Sequence, residues 1–142
     1  MSRSGYTDDC DGKGYGIYRG RVASAIRGKR GQRLLRDLAK AMDAMPRKRL
    51  IAGEFVAQDG EACALGVLAL HRSIPDADDI DSEDHELLSE IFDVPRCLIR
   101  EIENENDECV TRPPDVMERW RRMRDWVSSK ITDRKEPHER TI

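Results

Sequence analysis

Aromatic residues make up only 5 % of this 142-residue chain, and its longest apolar run, Ala62 to Leu70, is far too short to cross a bilayer. No basic-then-apolar leader precedes that run, so the expectation is a cytoplasmic protein with no membrane association. The four cysteines, Cys10, Cys63, Cys97 and Cys109, form no Cys-x-x-Cys pair. That spacing excludes a disulfide scaffold or a paired zinc framework and reads as reduced thiols. Cys63 and His71, or Cys97 and Cys109, are too far apart to serve as a close ligand pair, and no metal or other cofactor is expected. Cys63 and Cys97 sit in apolar stretches and read as core residues.

Charge, by contrast, is abundant and segregated. Charged residues form 37 % of the chain and the net charge is only −3. Residues 1–53 carry 13 Lys and Arg against 5 Asp and Glu, residues 54–109 carry 3 against 17, and residues 110–142 carry 9 against 6. Two arrangements fit. The basic and acidic segments can lie against each other and cancel, or one can stay open and steer a partner of opposite charge.

The hydrophobic pattern is that of a mainly α, single small domain of about five or six helices, allowing one short β-hairpin near residues 50–64. Residues 1–17, glycine-rich and aperiodic, read as a flexible arm, 18–131 as the helical domain and 132–142 as a charged tail. Tyr18, Val22 and Ile26 recur at helical spacing, with Gly28 and Gly31 as a turn. Leu34, Leu35, Leu38, Ala41, Met42 and Met45 make the stripe of a second helix over about 32–45, ended by Pro46. Asp59-Gly60 marks the hairpin turn, and Cys63 to His71 reads as a buried helix. Asp81 or Ser82 caps a helix holding Leu87, Leu88, Ile91 and Phe92. Val94-Pro95 opens another with Leu98, Ile99 and Ile102, fading into Glu103 to Glu108. Thr111, Pro113, Pro114 and Asp115 start the closing helix, with Val116, Trp120, Met123, Val127 and Ile131 on one face.

Leu88, Ser89, Phe92, Asp93, Val94, Ile99 and Ile102 follow helix-turn-helix spacing, with the second helix beginning near Pro95. A DNA-reading helix should present Arg, Lys, Asn or Gln to base edges. This one offers Arg96 and Arg100 but also Glu101, Glu103, Glu105, Asp107 and Glu108, whose charge repels a polyanion. An ordinary helical hairpin or a protein-binding acidic face suits it better. Gly12-Lys13-Gly14-Tyr15-Gly16 lacks the full phosphate-loop spacing and reads as linker, and Asp8, Asp9 and Asp11 lack the alternation of a calcium loop. His71 closes an apolar helix, where a capping role is expected. His85, among Glu83, Asp84 and Glu86, is expected on the surface with its charged form favoured. No nucleophile with a base and an orienting group can be assembled, so no enzyme and no catalytic residue is assigned.

The stretches Arg27-Gly28-Lys29-Arg30-Gly31-Gln32, Arg49-Leu50-Ile51-Ala52-Gly53-Glu54, Cys63-Ala64-Leu65-Gly66 and Arg100-Glu101-Ile102, followed by Glu105-Asn106-Asp107-Glu108, resemble a family of small uncharacterised phage and prophage proteins. So does the closing helix around Arg119-Trp120 and Trp126-Val127. The resemblance covers about Gly20 to Ile131. It implies the cytoplasm of a bacterial host and a small non-enzymatic protein that binds a host or phage protein complex, but carries over no activity. The expectation is an accessory protein acting through an acidic face of Asp84, Glu101, Glu103, Glu105, Asp107 and Glu108, inhibiting a host nucleic-acid-handling or defence complex. The alternative is nucleic-acid binding by Arg19, Arg21, Arg27, Lys29, Arg30 and Arg33.

Overall fold

A computed structural model describes Arg3, residues 12–108 and residues 115–132, with side chains in the first helix from Gly16. The six helices among the described residues are α1 (Gly12–Arg27), α2 (Lys29–Asp43), α3 (Ala64–His71), α4 (His85–Phe92), α5 (Arg96–Asp107) and α6 (Val116–Lys130). A 3-10 turn at Ala77–Asp79 lies between α3 and α4. The mainly α class expected from periodicity is the observed one. Cys10, Asp8, Asp9, Asp11, Cys109, Thr111 to Pro114 and the charged tail beyond Thr132 lie outside the described residues.

Two helices form the centre. Every residue of α3 from Ala64 to Ala69 is buried, as an all-apolar helix demands. Half of α5 is buried, at Leu98, Ile99, Glu101, Ile102, Glu103 and Asn106. The α5 helix packs against α1, α3, α4 and α6, while α2 packs against α1, α3 and α6. Leu34, Leu35, Leu38 and Met42 turn the α2 stripe inward, and Met123 and Val127 do the same for α6.

The boundaries differ from the sequence expectations for local reasons. Helix α1 begins at Gly12, within the stretch read as an arm. The break expected across Gly28 to Gly31 is confined to Gly28, which is extended as the N-cap of α2. The α2 helix ends before Pro46. There Lys48 Nζ donates to the Asp43 and Met45 carbonyls at 2.6 Å each, satisfying acceptors left free at the helix end. Asp84 caps α4 by accepting from Leu87 N at 3.1 Å, so neither Asp81 nor Ser82 is the cap. Pro95 precedes the first turn of α5, and α5 continues through Asp107.

The expected β-hairpin reduces to one isolated antiparallel bridge, Val56 to Ala62. Gly60 turns the chain at φ +92°, as Asp59-Gly60 implied, but Gly53 at φ +82° interrupts the first arm. Cys63 ends the second by capping α3, its Sγ accepting from Gly66 N at 3.5 Å. The 50–63 loop is instead pinned by Asn106. Its Oδ1 accepts from Ala64 N at 3.0 Å, and its Nδ2 donates to the Ile51 carbonyl at 2.9 Å. Arg119 Nε donates to the Asn106 carbonyl at 2.9 Å, joining α6 to the same point.

Gly66 lies where α3 meets this loop, and a Cβ there would overlap the Phe55 carbonyl. Gly20, in α1, has open space around it. Two Gly→Ala changes should therefore have opposite signs. Gly66→Ala should destabilise by about 1–3 kcal/mol through overpacking, and Gly20→Ala should stabilise by up to about 1 kcal/mol through helix propensity. Denaturant melts of both variants check this; a neutral Gly66→Ala would contradict the close approach of α3 to Phe55.

Candidate interaction surfaces

Helix α5 brings several of the acidic residues singled out above to the inside of the molecule. The Glu101 carboxylate is held by Arg19 of α1 through two hydrogen bonds of 2.6 and 3.0 Å. Asp107 is held by Arg3 at 2.7 and 3.0 Å and accepts a third bond from Gly53 N at 3.2 Å. Such bidentate guanidinium pairs are the strong form of charge-assisted bond. The Glu103 side chain is fully buried, with Arg3 Nη1 at 3.7 Å and His85 Nε2 at 2.8 Å. Glu105 is half-buried, and burial lifts its carboxyl above the usual range.

The six residues Asp84, Glu101, Glu103, Glu105, Asp107 and Glu108 therefore do not form one open face. Glu101 and Glu103 are interior, Asp107 is neutralised by Arg3, and only Asp84 and Glu108 are exposed. The physical reason is that α5 is central: a helix buried on more than its apolar stripe takes its carboxylates inside, where each needs a partner. On the same helix Arg96 stays exposed and Arg100 is half-buried. The α4–α5 pair is a helical hairpin turned by Asp93 at φ +58°.

His85 is a second correction. Instead of sitting on the surface with its charged form favoured, its side chain is mostly buried against Glu103. Burial, and then the Arg100 charge, depress its pKa below 6.5. Burial likewise pushes Glu103 up to about 8, outweighing the opposing pull of Arg3. Both shifts favour a neutral pair sharing one proton over an imidazolium–carboxylate pair. Arg3 Nη1 and Glu103 Oε2 are buried atoms with no hydrogen-bond partner. His71 is exposed at the end of α3, Cys63 is buried as expected, and Cys97 is half-buried.

Two stretches of the exposed charge are dominated by one sign. Asp76, Asp78, Asp79, Asp81, Glu83, Asp84, Glu86, Glu90 and Asp93 are all exposed, on the 3-10 turn, α4 and the loop between them. Lys and Arg are absent from residues 76–93. Among the described residues the one ion pair there is Asp93 with Arg30, at 3.5 Å and largely in solvent. This region lies next to the predicted face, and the acidic run Asp76 to Asp93 was its signal. The basic region survives better than the acidic one: Arg21, Arg27, Lys29, Arg30 and Arg33 are exposed on α1 and α2, joined by Arg36 and Lys40, while Arg19 is taken by Glu101. No helix among the described residues is long and apolar enough to cross a membrane.

The buried pair makes stability depend on pH. Folding raises the Glu103 pKa from 4.5 to about 8, so its contribution is fully present below 4.5 and is lost as pH rises through about 8. The depressed His85 pKa acts in the opposite sense, contributing above 6.5 and losing that as pH falls. Between about pH 6.5 and 8 the His85 effect is spent while that of Glu103 is still being lost, and Glu103→Gln should lessen the fall in melting temperature across that window. Parallel slopes in the parent and the variant would contradict a buried carboxyl that ionises there.

No protein-family model matches the chain, and neither a curated protein nor a solved structure does.

Proposed function

We propose that the chain is a non-enzymatic, phage-type accessory protein that binds another protein through its acidic surface at residues 76–93. The observation that carries this reading is the set of nine exposed carboxylates in that segment, with no Lys or Arg among them and a single solvent-exposed ion pair. An uncompensated patch of one sign steers a partner of the other sign and rejects like-charged ones. The matching partner presents a basic groove of the kind built to hold nucleic acid, which supports inhibition of a host nucleic-acid-handling or defence complex as the outcome. The resemblance to small phage and prophage proteins supports the same context.

A second reading rests on a separate observation. Arg21, Arg27, Lys29, Arg30 and Arg33 remain exposed, and α1 and α2 contain two acidic residues, Asp37 and Asp43, which pair with Arg72 and Arg124. That surface supports nucleic-acid binding through phosphate contacts.

The two readings separate by charge reversal. Affinity capture from nuclease-treated host extract should retain a protein partner that is lost on Glu83→Lys with Glu86→Lys and Glu90→Lys; unchanged retention sinks the acidic surface. The rival predicts gel-shift binding that weakens steeply as salt rises and falls with Arg27→Ala and Arg33→Ala. Absence of any shift at low salt removes it.

A further inference from the structure

Between α1, α4 and α5 lies a polar cleft of about 790 Å³, within the range of small-ligand sites. Arginines line it from two elements. Arg96 and Arg100 are one turn apart on α5, so they share a face, and Arg21 reaches it from α1. Arg21 and Arg96 make no ion pair among the described residues. The Arg100 guanidinium is steadied against Tyr18, whose ring centroid is 5.4 Å away and which also lines the cleft. Arg21 and Arg100 act on common ground. Burial raises the Cys97 pKa, and the charges of Arg21 and Arg100 both oppose that rise. Arg100 adds to burial in disfavouring a proton on His85.

The α4 side of the cleft has the opposite character, being lined by Glu86 and Glu90, both exposed. That polarity limits the ligand. A nucleic-acid strand laid through the cleft would place successive phosphates against these carboxylates, with Glu83 and Asp93 close by in sequence on either side. A ligand with a single phosphate avoids this cost: its anion meets the arginines while hydroxyl or amino groups meet the carboxylates.

We propose that the cleft between α1, α4 and α5 is a binding site for a small phosphomonoester, its phosphate held by Arg21, Arg96 and Arg100 and its hydroxyl or amino groups by Glu86 and Glu90. The cleft shares Glu86 and Glu90 with the acidic surface, but a titration with small probes and no protein partner tests it separately from that surface.

Isothermal titration of the full chain tests it, with adenosine 5′-monophosphate, adenosine and inorganic phosphate as probes. The expected result is saturable binding of the monophosphate, competition by inorganic phosphate, and no binding of adenosine. Arg96→Ala should weaken the monophosphate about tenfold or more, the loss of one charge-assisted contact. Arg121→Ala, a cation on α6 outside the cleft, should leave it unchanged. Both side chains are exposed, so the variants should melt like the parent, and a circular-dichroism melt verifies this. No saturable binding at millimolar monophosphate would overturn the proposal, as would an equal loss in Arg121→Ala. Tighter binding of an oligonucleotide through the same arginines would also overturn it, in favour of nucleic-acid recognition.

Discussion

Carboxylates on the central helix must be answered by arginines from the start of the chain, and much of the architecture follows from that requirement. Glu101, Glu103 and Asp107 all lie on the last three turns of α5, and an unpaired buried charge costs several kcal/mol. Arg19 meets the first and Arg3 the last, each with two bonds. Those contacts fix α1 along α5 and bring residue 3 onto the end of the same helix. Glu103, between them, has His85 and the edge of Arg3, and burial outweighs the pull of Arg3 to favour its protonated form.

Internal pairing also decides which charges remain outside. The segregation visible in composition is partly cancelled at the α1–α5 contact and partly expressed at the surface. Arg19 and Glu101 are spent on each other, whereas Arg21, Arg27, Lys29, Arg30 and Arg33 of α1 and α2 and the carboxylates of residues 76–93 are left to solvent. Both arrangements open at the level of sequence therefore occur at once, in different parts of the molecule. The cleft between α1, α4 and α5 lies where the two surfaces meet, with arginines on one side and glutamates on the other.

The helical stripes were legible in the sequence because they depend on local periodicity. Leu34, Leu35, Leu38 and Met42 on α2, Leu98, Ile99 and Ile102 on α5, and Met123 and Val127 on α6 are buried as their spacing implied. The orientation of α5 was not legible. Its apolar positions read as a stripe with an acidic face opposite, and only the three-dimensional placement of Arg3 and Arg19 turns part of that face inward. His85 misled for the same reason: its sequence neighbours are acidic, but the partner that sets its state is Glu103, 18 positions away. The short hairpin failed on Asn106, a polar residue with no periodic signature, which holds the 50–63 loop by its backbone groups.

The distance in sequence between these partners has a consequence for how the chain reaches its fold. Arg19 and Glu101 are 82 positions apart, and Arg3 and Asp107 are 104. At ordinary rates of synthesis, the amino-terminal helices wait on the order of ten seconds before α5 exists. Through that interval α1 lacks the central helix it packs along, and Arg19 lacks its carboxylate. Folding must close late and over long loops, a topology that slows the final step, and a nascent chain of this protein is for that time a cationic, half-covered segment exposed to the polyanions of the cell.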